Sequence, residues 1–302
     1  MSSIIQIDTT RHYHSTDAAY VLPNDEIEQA RLDSQAVAIV EMLGGLPFLG
    51  LPASTTPGSK MIDVGCGTGV ATLQLGKLWP SSKVYGVDLS VVPESTQKQA
   101  PGNVSFLQGD ILEVDFTTPS DDLLHQEVFA PSSVEYIFGR MLFLGISDWK
   151  LYFSNAAKAL KTGAIIEHQD LDWKFYRVAS DECLSDEWQW WHEVVQAVEA
   201  SGLSLVSGSN AAALLKASGF EILKVETFEF SFMPSLKTPN SQAMGNYVQA
   251  KLLPQYPELL RKLLEPRVSK ERLKQLIQDC LRDLSSEDGV HQKYTVTVAR
   301  KL

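Results

Sequence analysis

Three glycines at alternate positions constrain the fold of this chain more than any other feature. Gly65, Gly67 and Gly69 directly follow the apolar segment Met61-Ile62-Asp63-Val64, which is typical of a buried strand. Because glycine has no β-carbon, it permits a left-handed backbone and lets a ligand approach the main chain closely. The segment therefore predicts a strand, a ligand-binding turn and a helix, the opening unit of an α/β nucleotide-binding fold.

The spacing of these glycines separates two kinds of nucleotide site. The dinucleotide fingerprint is Gly-x-Gly-x-x-Gly, in which the third glycine stands three positions after the second. Here that position is Val70, and the glycine is one residue earlier, at Gly69. Asp63 lies two residues before the first glycine. A nicotinamide oxidoreductase is therefore disfavoured and is kept only as a residual alternative.

Two acidic residues follow further predicted strands. Residues 83–88 read as a second buried strand that ends in Asp88, with Leu89 next to it. Asp88 stands about twenty residues beyond the glycines, where α/β nucleotide-binding folds place an acid on the ribose hydroxyls. A third strand over 104–107 leads to Asp110 and Ile111. For both acids a plain carboxylate at a strand end is the alternative interpretation.

Each of the next two predicted strands leads to a candidate functional residue. A strand over 134–138 precedes Arg140, which we leave open between a cofactor contact and a structural ion pair. A fifth strand over 164–167 is expected to end at His168. The unperturbed pKa of histidine lies near neutrality, so His168 is the best candidate for a general base if the acceptor is a weakly acidic hydroxyl. The alternative is a hydrogen-bonded core or rim histidine. Between these strands we expect a helix over 149–160, stopped by 161–163.

These motifs together resemble a known family. The glycine spacing with its upstream acid resembles the first motif of class I methyltransferases, which use S-adenosylmethionine (SAM). The leader around residues 20–35, the segments 139–140 and 146–149, and the terminal run 291–301 resemble the fungal secondary-metabolism, LaeA-like methyltransferases. One departure is visible: family leaders commonly carry Gln-His where this chain has Gln35-Ala36.

The resemblance implies a fold. It is a Rossmann-like α/β sheet of seven strands in the order 3-2-1-4-5-7-6, with the last strand antiparallel and with helical lid insertions. A helical leader or cap is expected over 1–45 and the SAM-binding domain over 46–302. The substrate-lid insertions are expected at about 171–218 and 235–288.

The resemblance also implies roles for residues. In the family the acid at the position of Asp110 holds the adenine amino group, and an apolar neighbour, here Ile111, lies against the ring. Family leaders fold over the cofactor, which makes His12, Tyr13 and His14 the next candidates for a base after His168. The residues expected to hold SAM, and its product S-adenosylhomocysteine (SAH), are Tyr20, Asp63, Gly65, Cys66, Gly67, Gly69, Asp88, Leu89, Asp110, Ile111 and Arg140.

Aromatic residues are concentrated in the first predicted lid. Trp173 and Phe175 follow the fifth strand, and Trp188, Trp190 and Trp191 begin a predicted helix. Trp188 and Trp191 have ordinary core spacing, whereas Trp190 points elsewhere and is a candidate to line a pocket. Aromatic lids suit a flat or polycyclic small-molecule acceptor.

Composition excludes several functions. The chain of 302 residues has a net charge of −11, which argues against a general nucleic-acid surface. Its three cysteines, Cys66, Cys183 and Cys280, have neither metal-binding spacing nor an even disulfide framework, so a reducing, cytoplasmic location is expected. No apolar run reaches membrane-spanning length. We expect no membrane or nucleic-acid partner and no metal, and leave monomer and homodimer open.

The sequence thus favours a SAM-dependent methyltransferase acting at O, N or S of a small secondary metabolite. Two alternatives bind SAM without transferring a methyl group. One is a LaeA-like regulator that works through partners, and the other is a pericyclase that holds SAM as a fixed positive charge.

Overall fold

A computed structural model describes residues 26–116, 124–287 and 289–302. The strands in chain order are β1 (Lys60–Val64), β2 (Lys83–Asp88), β3 (Val104–Gln108), β4 (Val134–Arg140), β5 (Leu160–Leu171), β6 (Tyr176–Arg177), β7 (Phe220–Ser231) and β8 (Val290–Lys301). The α-helices are α1 (Glu26–Met42), α2 (Val70–Leu78), α3 (Glu94–Gln99), α4 (Trp149–Ala159), α5 (Gln189–Glu199), α6 (Ser207–Ala217), α7 (Ser241–Tyr247), α8 (Tyr256–Leu264) and α9 (Lys270–Leu284).

The strands form one sheet in the order β3-β2-β1-β4-β5-β8, with β7 on the far side of β8. Neighbours from β3 to β5 are parallel, and β8 is antiparallel to both β5 and β7. The two-residue β6 also pairs with β8. With β6 set aside, the order is 3-2-1-4-5-7-6, so the predicted class I methyltransferase topology is confirmed.

The strands β1, β2 and β4 are largely buried because helices cover both faces of the sheet. On one face Ile62, Ile137 and Ile166 join the core beneath α4 and α6. On the other face Met61 and Phe138 pack with residues of α2. Parallel strands buried in this way present their carboxyl ends along one edge, where α/β folds bind ligands.

The predicted lid segments contribute a second core. Residues of α5, α7, α8 and α9 pack together with aromatic side chains that include Trp173, Phe175, Trp190, Phe232 and Tyr256. Helix α6, which also falls within the predicted 171–218 insertion, packs instead against β5, β7 and β8. The first insertion therefore includes one helix of the sheet layer.

Strand β5 is longer than predicted, and this changes the position of His168. The strand begins at Leu160. Residues 161–163, which were expected to stop α4, are therefore the second to fourth residues of β5. At its other end it continues to Leu171, so the prediction that His168 ends the strand is wrong. His168 lies inside the sheet between Gly139 of β4 and Thr297 of β8, because both neighbouring strands extend far enough to pair with it.

Helix α1 lies in the predicted leader. Its residues Ala36 and Ile39 are buried, as the periodicity predicts. The helix packs against α7, where the guanidinium of Arg31 donates to the hydroxyl of Tyr247 and to the carboxylate of Glu28. The candidates Tyr20, His12, Tyr13 and His14 lie outside the described residues. Among the described helices, none is both long and apolar enough to cross a membrane.

Candidate ligand-binding site

A cavity opens at the carboxyl ends of β1 to β4 and is bordered on one side by α1. It contains about 1010 Å³ of space, including its open mouth. The residues predicted for the cofactor that line it are Gly65, Cys66, Gly67, Asp88, Leu89, Asp110, Ile111 and Arg140.

The glycine loop after β1 has the left-handed conformation that the sequence required. Gly65, Gly67 and Gly69 have φ values of +64°, +55° and +81°. A β-carbon on Gly65 would lie 2.3 Å from Cδ2 of Leu142, whereas one on Gly67 would have only Cδ1 of Leu32 nearby, at 3.5 Å. Gly67 therefore keeps backbone open to the cavity. Gly69 does not line the cavity but immediately precedes α2.

Asp88 joins the end of β2 to the glycine loop. Its Oδ2 accepts a 2.8 Å hydrogen bond from the N–H of Gly67, and its Oδ1 accepts one of 2.8 Å from the N–H of Ser90. These bonds orient the carboxylate at the cavity wall. A carboxylate has about four acceptor sites, which suits a ligand that brings hydroxyl donors.

Asp110 and Ile111 form the wall beyond β3. Oδ1 of Asp110 accepts a 2.8 Å bond from the N–H of Leu112 and so caps the short helical turn Ile111–Glu113. Ile111 is 2% exposed, and the carbonyl oxygen of Ile111 is held by Asn155 of α4. A carboxylate in this position can accept a hydrogen bond from an exocyclic amino group of a ligand, while the apolar side chain packs against the ring that carries it.

Asp63 acts behind the cavity rather than on its wall. It is buried in β1 and accepts a 2.6 Å hydrogen bond from the hydroxyl of Thr72 on α2. Burial raises the pKa of Asp63 to about 6, while the Thr72 hydroxyl and the charge of Arg140 oppose that rise. Asp63 thus ties α2 to β1 and so stabilises the loop between them.

Arg140 brings an unsatisfied cation to the cavity. Its guanidinium lies 5.7 Å from the ring centroid of Phe138. Its Nη1 is buried and has no hydrogen-bond partner among the described residues. An orphaned guanidinium nitrogen is costly unless an anion satisfies it, so this position favours a ligand contact over the structural ion pair.

Cys66 also lines the cavity, with 8% of its surface exposed. Burial raises the pKa of its thiol well above the ordinary value, and the nearby carboxylates of Asp63 and Asp88 raise it further. The protonated thiol is a poor nucleophile and acts here as a small apolar wall residue.

His168 is enclosed rather than presented to the cavity. It has no exposed surface, and the rings of Trp149, Tyr152 and Phe153 lie at centroid distances of 5.1, 6.4 and 5.6 Å. Burial lowers the pKa of His168 to about 3. A weakly basic imidazole behind the cavity wall fits the core-histidine interpretation better than a general base.

The lid tryptophans do not line this cavity either. Trp190 is 1% exposed, stacks on Trp188 and donates a 3.0 Å hydrogen bond from Nε1 to Asp283. Trp191 donates from Nε1 to the carbonyl of Trp173. The expectation that Trp190 lines a pocket is not met in the described cavity, because its position in α5 faces the second core.

Several wall residues were missed by sequence reasoning. Helix α1 and the turn after β4 supply them, and they are mostly apolar. They are Leu32, Gln35, Ala36, Met141, Leu142 and Ile146. The spacing of Leu32 and Ala36 by four residues was visible as one face of a helix, but nothing local shows that this face meets the glycine loop. Among the described residues, no group of three or more His, Cys, Asp or Glu side chains is placed to hold a metal ion.

Comparison with known proteins gives a consistent family. The family described as "Methyltransferase domain" matches residues 39–225. The secondary metabolism regulator laeA of Coprinopsis cinerea is 30% identical over 163 residues, covering 53% of this chain and 37% of that protein. Methyltransferase pytC of Aspergillus terreus is 25% identical over 246 residues, covering 79% of this chain and 69% of that protein. The chain thus spans little more than a third of the regulator's length.

Solved structures show distant likeness. Phosphoethanolamine N-methyltransferase 2 of Haemonchus contortus, solved with SAM, is 19% identical with a TM-score of 0.49, over 88% of this chain and 52% of that one. The [4+2]-cyclase SpnF is 14% identical with a TM-score of 0.47, over 94% and 98% of the two chains. Neither likeness is close enough to support a functional argument.

Proposed function

The chain belongs to the methyltransferase-domain family, and we propose that it transfers a methyl group from SAM to O, N or S of a small-molecule secondary metabolite. The observation that carries the proposal is one cavity that unites the glycine loop with two acids from successive strand ends, Asp88 and Asp110. The absence of the dinucleotide spacing at Val70 argues against a nicotinamide cofactor.

Three charged groups on the cavity wall each suit one part of SAM. In this proposal Asp88 accepts hydrogen bonds from the ribose hydroxyls, and Asp110 accepts from the adenine amino group with Ile111 against the ring. The orphaned Nη1 of Arg140 suits the carboxylate of the amino-acid portion, which would satisfy it. Gly67, without a β-carbon, leaves room for the cofactor next to the backbone.

Bound SAM supplies an already activated methyl group. The task of the protein is then to orient the acceptor and to exclude water. The apolar side chains of Leu32, Ala36 and Ile146 line the cavity and would perform that exclusion. Gln35 is the polar residue that α1 contributes to the cavity wall, and it offers an amide for orienting a ligand.

We do not assign the role of general base to His168, since its imidazole is enclosed and weakly basic. His12, Tyr13 and His14 of the leader stay candidates for an acceptor that needs deprotonation. A thiol, an amine or an acidic phenol would need less help than an aliphatic alcohol.

The class of acceptor is part of the proposal. Relatives named as methyltransferases pytC and str2 come from fungi, Aspergillus terreus and Strobilurus tenacellus. We keep the expectation of an aromatic or polycyclic acceptor, although the lid tryptophans that prompted it pack inward. A cytoplasmic location remains a prediction, in keeping with three free cysteines.

The second candidate is a regulator that binds SAM without turnover. It is favoured by the match to a secondary metabolism regulator over 53% of this chain. Such a protein would need the same cofactor cavity, and so would a pericyclase. Product mass distinguishes the three, because methylation adds one CH2 to the acceptor and the other two functions add nothing.

Calorimetric titration of the purified protein with SAM, and separately with SAH, is the test. Micromolar binding of both, together with a mass gain of one CH2 in a screened acceptor, would support the proposal. Failure of both ligands to bind would refute it, and binding without any methylated product would favour the regulator or the pericyclase.

A further inference from the structure

The turn that follows β4 contains a residue in an unfavourable backbone conformation. Met141 has φ of +56°, a left-handed conformation that costs a residue with a β-carbon roughly 1–2 kcal/mol. Such conformations persist where the surrounding structure holds them, and they cluster at functional sites. Arg140, Met141 and Leu142 all line the cavity, so this turn is part of its wall.

Two hydrogen bonds that the turn donates to the neighbouring strand β5 hold it in place. The N–H of Met141 donates to the carbonyl oxygen of Gln169 at 2.9 Å. The N–H of Leu142 donates to Oδ2 of Asp170 at 3.1 Å. The second bond is unusual because it uses a side chain. Asp170 has no exposed surface, and its Oδ1 is fixed by the N–H of Leu171 at 2.9 Å.

The turn carries two groups into the cavity. One is the guanidinium of Arg140, whose Nη1 has no hydrogen-bond partner among the described residues. The other is the side chain of Leu142, which occupies the space beside Gly65 and Gly139, within 2.3 and 2.9 Å of where their β-carbons would lie. A shift of the turn would therefore move both the cation and the contact beneath the glycine loop.

His168 lies behind the Asp170 carboxyl. Its Nε2 is 3.7 Å from Oδ2 of Asp170, and its two ring nitrogens have no hydrogen-bond partner among the described residues. The imidazole, packed among Trp149 and Phe153, limits the space into which the carboxyl could rotate. The carboxyl of Asp170 therefore has the His168 ring nearby, and its two oxygens accept hydrogen bonds from the N–H groups of Leu142 and Leu171.

We propose that Asp170 is a positioning residue for cofactor binding, which fixes the Arg140–Leu142 turn through the N–H of Leu142. Asp170 has no surface in the cavity and acts on the ligand through the turn. The inference rests on the proposed function, because it takes SAM as the ligand of the cavity.

Glu167 provides a matched control on the same strand. It is also fully buried, and it also accepts backbone N–H bonds, from Leu49 at 2.9 Å and Gly50 at 2.7 Å. Among the described residues, the hydrogen bonds of its carboxylate involve Leu49, Gly50, Tyr136 and the side chain of Gln169, and none involves the turn after β4. Glu167→Gln therefore perturbs a buried carboxylate of β5 without removing the bond to Leu142.

The experiment measures two quantities in wild type, Asp170→Ala, Asp170→Asn and Glu167→Gln. The first is amide hydrogen exchange of the segment 141–146 in the ligand-free protein, and the second is the Kd for SAH. We expect Asp170→Ala to accelerate exchange at Leu142 and to raise the Kd about tenfold or more. Asp170→Asn, which keeps one acceptor oxygen, should fall between, and it serves if the alanine variant fails to fold. Glu167→Gln should leave both quantities near wild type.

Unchanged exchange at Leu142 in both Asp170 variants would overturn the proposal, and so would faster exchange with an unchanged Kd. An equal loss of affinity in Glu167→Gln would also overturn it, because the effect would then be general to buried carboxylates. Wild-type protein that fails to bind SAH would refute the proposed function, and with it the cofactor role of Asp170, whereas the exchange data would still report whether Asp170 holds the turn.

Discussion

Oδ2 of Asp88 and the backbone N–H of Gly67 lie 2.8 Å apart, so the acid at the end of β2 is bonded to the loop that follows β1. The two motifs are separated by twenty-one positions in the chain and form one unit in the cavity. A ligand that bonds to Asp88 therefore meets a carboxylate whose direction is already set. Such preorganisation increases affinity because less ordering is required on binding.

Replacement of Asp88 should consequently reduce cofactor binding by two routes. Asp88→Ala removes the acceptor proposed for the ribose and releases the N–H of Gly67. Hydrogen bonds to charged groups contribute about 1.5–3 kcal/mol, so we expect the Kd for SAM to rise by tenfold or more, with methyl transfer falling in parallel. Calorimetry measures the Kd. Ser269→Ala, which removes an N-cap of α9 far from the cavity, is the control for lost stability alone. Full activity in Asp88→Ala would refute the assignment of the site.

Arg140 should respond differently, because Nη1 of its guanidinium has no hydrogen-bond partner among the described residues of the ligand-free protein. Arg140→Met removes a buried unsatisfied donor, so the free energy of unfolding of the ligand-free protein should be unchanged or higher. The stabilisation that SAH gives to wild type should fall sharply in the variant. Thermal unfolding with and without SAH tests both points, and Arg140→Lys retains the charge without the planar fork. A marked loss of stability in ligand-free Arg140→Met would indicate a structural role instead.

Three glycines with positive φ, Gly58 before β1 and Gly65 and Gly67 in the loop after it, should separate the cost of backbone strain from that of steric contact. Gly58→Ala (φ +81°, nothing within 4 Å) should cost only the backbone strain of about 1–2 kcal/mol. Gly65→Ala should cost more, about 2–4 kcal/mol, because its β-carbon would meet Leu142 at 2.3 Å. Gly67→Ala should resemble Gly58→Ala in stability but raise the Kd for SAH, since its β-carbon faces the cavity. Urea unfolding and calorimetry give the two readouts, and equal affinities in the Gly58 and Gly67 variants would contradict the arrangement.

Sequence reasoning succeeded where the information was local. The glycine spacing and the acids after β2 and β3 are each contained within a few residues. The sheet order followed from the family resemblance that these motifs carry. The cavity then brought eight of the predicted residues together, since parallel strands align their carboxyl ends.

Sequence reasoning failed where contacts between distant segments decide the position of a residue. His168 was expected at the end of β5, but pairing with β4 and β8 extends the strand to Leu171 and encloses the imidazole. Trp190 was expected to face a pocket, and the packing of α5 against α9 turns it inward. The contribution of Leu32 from α1 was also missed, because no local pattern shows which face of a helix meets a distant loop.

The buried pair His168 and Asp170 leads to a last prediction, on the pH dependence of stability. Burial raises the pKa of Asp170 to about 8, with Asp172 raising it further and the backbone bonds of Leu171 and Leu142 opposing. The native state therefore holds a proton that the unfolded state, with an ordinary pKa of 3.8, releases. By linkage, stability from this group falls as pH rises from about 4 to about 8.

The buried His168 changes the stability with the opposite sign and over a lower pH range. Its pKa is about 3 in the native state against an ordinary 6.5, so the unfolded state binds the extra proton, and this group lowers stability as pH falls below 6.5. Between pH 6.5 and 8 only Asp170 of the pair titrates differently in the two states. Tyr152 and Tyr294, which also face Asp170, have pKa values raised by burial and stay neutral there.

The window from pH 6.5 to 8 therefore isolates Asp170. The free energy of unfolding of wild type should fall across it, relative to that of Asp170→Asn, by on the order of 1–2 kcal/mol. His168→Gln should retain the wild-type slope in this window and should gain stability relative to wild type as pH falls below 6.5, because the unfavourable contribution of the buried imidazole is removed. Urea unfolding at half-unit pH intervals measures the three profiles. Parallel curves for wild type and Asp170→Asn between pH 6.5 and 8 would mean that Asp170 is ionised in the native state, and that its bond to Leu142 is a charged one.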